Sequence, residues 1–346
     1  ASRAQAGAFA GAVLEPAMNH PLTDVPVIVA WGAGVDSTAM LIEVIGRGER
    51  IDMVLFADTG AEKPETYLFI PIFRAWLADR GVPSEIVRYV PRRFKNWPAY
   101  RTLTENLVTN GTLPSIAFGR GTCSLKWKVA PQHAWARTWP PAIAAWARGD
   151  KVVKLIGYDC GPADDRRYAE VRDLDDPLYL HRYPLREWGW TRADCIARIA
   201  RAGLPGPPKS ACFFCTAAKP DEVRSLPRAQ LREIVLIEAR AGPRLRTVEG
   251  LWRKTVLGRR GAEPRPGSMT AFIRAEGLLD SAEIDAIIAA APRSLTRWQA
   301  AVSEGVAADA ARPEMARWMT VFDAFAGTPD RIDGAPGLYA GLRRPH

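Results

Sequence analysis

The chain has 346 residues, 47% of them hydrophobic and 25% charged, with a formal net charge of +9. That suffices for one large domain with an appendage, and no uncharged apolar run approaches the roughly 18 residues a membrane span needs. Five cysteines are too few for a disulfide scaffold at this length, and no export signal is recognisable, so the expected setting is the reducing cytoplasm.

Residues 1–21 are expected to form a flexible tail: the first seventeen are rich in Ala and Gly, and Met18 is a natural start. Val27-Ile28-Val29-Ala30 then reads as a strand, Trp31 to Thr38 as a Gly-rich turn, and Ala39 to Ile45 as helix. A strand, a tight loop and a helix N-terminus present several backbone N–H groups to one anion, with phosphate the obvious ligand. Gly32 and Gly34 let the backbone approach it, and the Ser37 and Thr38 hydroxyls are placed to donate from the first helical turn. The loop is neither a Walker A sequence, lacking Gly-Lys-Ser/Thr, nor Gly-x-Gly-x-x-Gly, since Ser37 takes the place of the third Gly.

A second strand, Ile51 to Phe56, leads into Ala57-Asp58-Thr59-Gly60, where a carboxylate at a strand end is suited to a ribose or base. Pro64 opens a helix through Phe73 and Leu77, and Ser84 to Val90 gives a third strand. Residues 91–150 are less regular and contain Cys123, Ser124, Lys128 and Pro131, with Arg120 and Lys126 as added charge. Val152 to Ile156 is a fourth strand ending at Gly157 and Cys160, followed by the acid–arginine run Asp164-Asp165-Arg166-Arg167. Leu178 to Tyr183 is the fifth, and Thr191 caps a helix from Arg192 to Ala202 in which Cys195 reads as a buried small hydrophobe. Cys212-Phe213-Phe214-Cys215 places two thiols on one turn, as a metal site or a redox pair. From residue 219 the pattern is helical, with apolar spacing around Leu231 to Ile237, at Ala282 to Ala290 and at Pro313 to Phe325. Between the first two, residues 240–265 hold eight Arg or Lys against two Glu around Trp252, a pattern that suits phosphate contact and base stacking, or a solvated basic loop over packed side chains. Interleaved strands and helices predict a doubly wound, mostly parallel five-stranded α/β sheet over residues 22–218, with a helical region over 219–346.

Gly34, Asp36 and Ser37 resemble the Ser-Gly-Gly-x-Asp-Ser loop of the N-type ATP pyrophosphatases, with Gly32 in place of the Ser and Ala33 in place of the first Gly. Phe56 to Gly60 with Pro64 to Tyr67, then Cys123, Ser124, Lys128 and Pro131, narrow the resemblance to the branch similar to phosphoadenosine phosphosulfate (PAPS) reductase. It implies an adenine nucleotide alpha-hydrolase-like fold that binds ATP with Mg²⁺ and cleaves it between the α- and β-phosphates, transferring AMP to an acceptor. The nucleotide residues implied are Gly32, Ala33, Gly34, Asp36, Ser37, Thr38, Asp58 and Gly157, with Asp36, Ser37, Lys128 and Arg166 in catalysis and Asp165 with Arg166 as the acid–arginine pair that closes over the nucleotide. Cys123, Cys212 and Cys215, with Cys160 as a fourth, would hold an iron–sulfur cluster of the [4Fe–4S] type, or zinc with help from His133 or His181. True PAPS reductases use a C-terminal cysteine, and none follows Cys215 here. The expected function is therefore sulfur transfer to nucleic acid, DNA or tRNA, with a cysteine desulfurase as sulfur donor. The alternatives are a sulfonucleotide reductase and a non-catalytic nucleotide- or nucleic-acid-binding subunit.

Overall fold

A computed structural model describes residues 25–91, 100–119, 121–259 and 262–291. The expected tail, Arg120 and the expected helix at Pro313 to Phe325 lie outside these residues. Five parallel strands, β1 (Val27–Trp31), β2 (Met53–Asp58), β3 (Ser84–Arg88), β4 (Val152–Ile156) and β5 (Tyr179–Arg182), form one sheet in the order β3-β2-β1-β4-β5. The chain runs outward from β1 through β2 to β3, then returns to add β4 and β5 on the other side of β1. Strand order therefore reverses between β1 and β4, and the crevice at their C-terminal ends is where folds of this doubly wound class take ligands.

Both faces are covered, as a parallel sheet requires. Val27, Val29, Trp31, Val153 and Leu155 point to one side, where they meet α1 (Val35–Gly46), α2 (Pro64–Ala78) and the helix Arg192–Arg201. The alternate residues Ile28, Leu55 and Val152 point to the other, against Ala136, Ala142 and Ala145 of the helices Ala130–Ala136 and Pro140–Ala147. Trp31 is 2% exposed, packs 5.0 Å from Phe73 and donates its indole N–H to Thr38 Oγ1 at 3.0 Å, which anchors the end of β1 to the start of α1.

The β2 strand begins two residues later than its sequence suggests. Asp52 is a turn residue: its carboxylate accepts from the Val27 N–H at 2.8 Å and its own N–H bonds the Val27 carbonyl at 3.0 Å, so pairing with β1 starts only at Met53. Asp58 is consequently the last residue of the strand, in register with Arg88.

The helices after residue 219 do not stand apart. Leu231, Ile234, Val235 and Ile237 of the helix Arg228–Ala241 join Leu107 and Val108 of α3 (Leu103–Asn110), Trp127, Phe213 and Phe214 in one buried cluster that crosses the expected boundary at 218. Residues 281–291 are helical and contribute Ile284 and Ile287 to it. The buried Glu238 ties the region together, accepting from the backbone N–H groups of Leu251, Met269 and Thr270 and from Ser268 Oγ.

Candidate functional site

Trp31 ends β1, and the chain turns through Gly32, Ala33 and Gly34 into α1. Ala33 is fully buried at φ +56°, a left-handed conformation that costs a residue with a Cβ roughly 1–2 kcal/mol and that glycine adopts freely. The loop thus keeps a glycine-type backbone without the glycine. Ser37 Oγ knits it by accepting from the Gly32 N–H at 3.1 Å and donating to the Gly34 carbonyl at 3.5 Å. The N-cap, Gly34, supplies no capping side chain, so the amides of the first turn have no partner within the helix and remain for a ligand.

Opposite the loop stands the end of β4. A Cβ on Gly157 would lie 2.7 Å from Ser37 Cα and 2.8 Å from Ser37 N, so only glycine allows the two backbones this close. Between them opens a cleft of about 490 Å³, lined by the loop, Gly157 to Asp159, Asp164, Arg167, Arg192, Lys209 and Ser210. It lies in the crevice between β1 and β4.

Asp36, Asp159 and Asp164 carry carboxylate oxygens all within 4.8 Å of one another. Asp36 Oδ2 accepts from Arg192 at 2.8 Å, while Asp36 Oδ1 is buried with no hydrogen-bond partner. Burial, reinforced by Asp159 and Asp164 and only partly offset by Arg192, pushes Asp36 up to about 6. Asp164 also accepts from Arg167 at 3.1 Å. Lys209 shares Glu222 with Lys63, each pair at 2.6 Å. Three acids and three cations therefore line one cleft. An orphaned buried carboxylate oxygen beside two other carboxylates fits a divalent cation, and the cations fit the anion such an ion would accompany.

The structure brings Gly32, Ala33, Gly34, Asp36, Ser37 and Gly157 together as the sequence suggests, and places the other expected residues elsewhere. Thr38 is fully buried, and its hydroxyl serves Trp31. Asp58 is 4% exposed and saturated: Oδ1 accepts from the Gly60 N–H and the Tyr67 hydroxyl, and Oδ2 from Nε and Nη2 of Arg88. It fastens β2 to β3 and has no capacity left for a ribose. Lys128 is bound to the buried Glu62 at 2.9 Å and does not line this cleft; burial opposes its charge, but Glu62 together with Cys212 and Cys215 more than offsets it and holds the ammonium charged. Arg166 is exposed and outside the cleft, whereas Arg167, one position on, lines it. The same one-residue shift replaces Asp165, which pairs with Arg186 outside the cleft, by the buried Asp164. With Pro162 as the first residue of the helix Pro162–Val171, positions 164 and 167 share its inner face, in place of the pair 165 and 166 expected from the resemblance.

Cysteine placement departs from a single-ion site. Cys212 and Cys215 share a turn, bolted to the end of β2 by the Phe213 N–H to Ala61 carbonyl bond, with Cys212 Sγ 3.7 Å from Thr59 Oγ1. Burial, reinforced by Glu62, drives the Cys212 thiol well up. Cys123 instead lines a separate cleft of about 620 Å³ beside Leu103, Lys126 and Trp127. Cys160 contacts the Leu185 carbonyl, and His133 and His181 flank Tyr179. Among the described residues only the aspartate trio brings three metal-type ligand atoms within 4.8 Å, and these cysteines and histidines form no such group. Cys195 is fully buried, as expected.

The basic stretch also changes character. Trp252 is 3% exposed, edge-on to Phe272, covered by the Arg265 guanidinium and bonded through Nε1 to the Ala218 carbonyl, so it has no face for a base. Arg240 and Arg244 bond the carbonyls of Val108 and Asn110 at the end of α3. Arg246, Arg253, Lys254 and Arg259 stay exposed. Compared with models of known protein families and with curated proteins, the sequence matches none.

Proposed function

We propose that the chain binds a magnesium–nucleoside triphosphate, ATP, in the cleft between β1 and β4 and cleaves it between the α- and β-phosphates, passing AMP to an acceptor oxygen. The observation that carries this reading is the juxtaposition of an uncapped helix N-terminus with three carboxylates and three cations at the reversal point of a parallel sheet. Either charged set alone could be a surface ion-pair network; both facing one cleft suit a metal–polyphosphate complex.

In this reading Asp36, Asp159 and Asp164 hold the metal, with the free Asp36 Oδ1 as its first ligand. A bound Mg²⁺ supplies charge neutralisation to the phosphate oxygens as the leaving pyrophosphate gains negative charge. The first-turn amides of α1 grip the phosphates, and Arg167, Arg192 and Lys209 exchange their acidic partners for phosphate oxygens. Ser37 holds the loop's shape. The resemblance of the loop to the ATP pyrophosphatases supports the choice of the α–β bond, and nucleic-acid sulfur transfer remains the proposed use of the adenylated acceptor. An iron–sulfur cluster is no part of this reading, because Cys123 lines a cleft that Cys212 and Cys215 do not; about four irons per chain in anaerobically purified protein would contradict that.

The test is equilibrium binding of ATP and of its α,β-methylene analogue with and without Mg²⁺. Metal-dependent binding that is lost in Asp36→Asn and Asp159→Asn is expected. Binding indifferent to the metal and to both substitutions would refute the site.

A further inference from the structure

On the far side of Gly32 and Tyr158 from the cleft lies a second, smaller cavity of about 200 Å³, and these two residues line both. Its walls are largely apolar, from Ala30, Phe56, Ala57 and Ile156 at the ends of three strands. Besides Tyr158 and Lys128, whose ammonium Glu62 already holds, two polar side chains break that surface. Lys154, in the middle of β4 opposite Ile28, is 5% exposed, and among the described residues no carboxylate or carbonyl is bonded to its ammonium, which lies 5.4 Å from the Tyr179 ring. Gln132, on the helix Ala130–Ala136, is 8% exposed, and its Oε1 is buried without a partner. A buried oxygen without a donor is costly, and the two side chains do not satisfy each other. One wall thus offers a donor with no acceptor, and another an acceptor with no donor.

We infer that this cavity reads the base of the nucleotide, and that Lys154 and Gln132 are the residues that select adenine. The inference rests on the nucleotide assignment of the adjoining cleft. A ring inserted past Gly32 and Tyr158 leaves its phosphates at the α1 N-terminus. The edge that satisfies both side chains carries a ring-nitrogen acceptor beside an exocyclic amino donor, which adenine presents as N7 and N6. Lys154 donates to the ring nitrogen, and Gln132 Oε1 accepts from the amine. Guanine and hypoxanthine put a carbonyl where adenine has the amine, so Gln132 Oε1 would face a second acceptor. The apolar walls take the ring faces and exclude water from the two contacts. Lys154 and Gln132 touch the base and not the reacting phosphates, so they govern affinity and choice of nucleotide.

Binding of ATP, ITP, CTP and inorganic tripolyphosphate to the wild-type chain and to Lys154→Met and Gln132→Leu tests this. ITP differs from ATP at the amine position, and wild-type protein should prefer ATP by about tenfold to a hundredfold. Gln132→Leu should abolish that preference. Lys154→Met should weaken ATP while leaving tripolyphosphate unchanged, and since it removes an unpaired buried amine its melting temperature should not fall. Equal affinity of wild-type protein for ATP and ITP overturns the inference, as does a CTP affinity matching that of ATP. Tripolyphosphate binding as tightly as ATP overturns the base pocket while sparing the phosphate cleft. Failure of every triphosphate to bind removes the nucleotide assignment itself.

Discussion

Replacing Gly157 by alanine tests the closest approach in the site. The added Cβ would sit 2.7 Å from Ser37 Cα, 2.8 Å from Ser37 N and 3.1 Å from the Asp36 carbonyl carbon, where ordinary contact begins near 3.4 Å. All three neighbours are backbone, so no side chain can rotate away, and the loop must retreat from β4 by roughly 0.7 Å. Overpacking of this kind costs about 1–3 kcal/mol, which for a chain of this size lowers the melting temperature by roughly 1–4 °C. The retreat also carries the first-turn amides and Asp36 away from Asp159 and Asp164. Since misplacement by about 1 Å can cost a hundredfold in a positioned site, nucleotide affinity should fall at least about tenfold. Thermal melts and titration calorimetry measure the two effects, with Gly206→Ala, whose Cβ would meet open space, as control. A Gly157→Ala protein that melts and binds like wild type would refute the packing argument.

Glu233 is buried, its Oε2 has no partner, and burial together with Glu105 pushes it up to about 8 from an ordinary value of 4.5. The fold favours its protonated form, so this contribution to stability is complete below about pH 4.5 and is lost as pH rises through 8; Glu233→Gln should flatten that decline, which melts across pH 5–9 would record. Ala33→Gly should relieve the left-handed strain at φ +56°, a gain of roughly 1–2 kcal/mol set against about 0.4–1 kcal/mol of added unfolded-state entropy, so urea titration should find the variant no less stable. Trp252→Ala should cost about 3–5 kcal/mol through lost packing while leaving the DNA affinity of the folded fraction unchanged, and a selective loss of DNA binding in a gel-shift titration would contradict its buried placement.

The loop and the sheet were legible because their signals are local: a β-branched strand, a turn and an amphipathic helix lie within twenty residues, and Gly32, Gly34, Asp36 and Ser37 carry the pattern. What escaped were contacts made across the chain. Arg192 reaches Asp36 from 156 residues away, and Ser210 donates to the Gly32 carbonyl from 178 away, distances at which periodicity says nothing. Asp58 was recognisable as a strand-end acid, but only the register with Arg88 and the position of Tyr67 reveal that its lone pairs are spent. The choice of Asp164 and Arg167 over Asp165 and Arg166 depends on the phase of one helix, which Pro162 fixes but composition does not. Trp252 looked like a stacking platform because its basic neighbours resemble a nucleic-acid surface, yet its ring covers the helical core.

Product analysis tests the central claim most directly. The protein is incubated with Mg²⁺ and ATP labelled separately at the α- and γ-positions, in the presence of DNA or tRNA as acceptor, and the labelled products are resolved. The account predicts AMP or an AMP–acceptor conjugate from the α-label and pyrophosphate from the γ-label, both abolished in Asp36→Asn. Release of inorganic phosphate with ADP, or turnover that survives Asp36→Asn and Asp159→Asn unchanged, would contradict it.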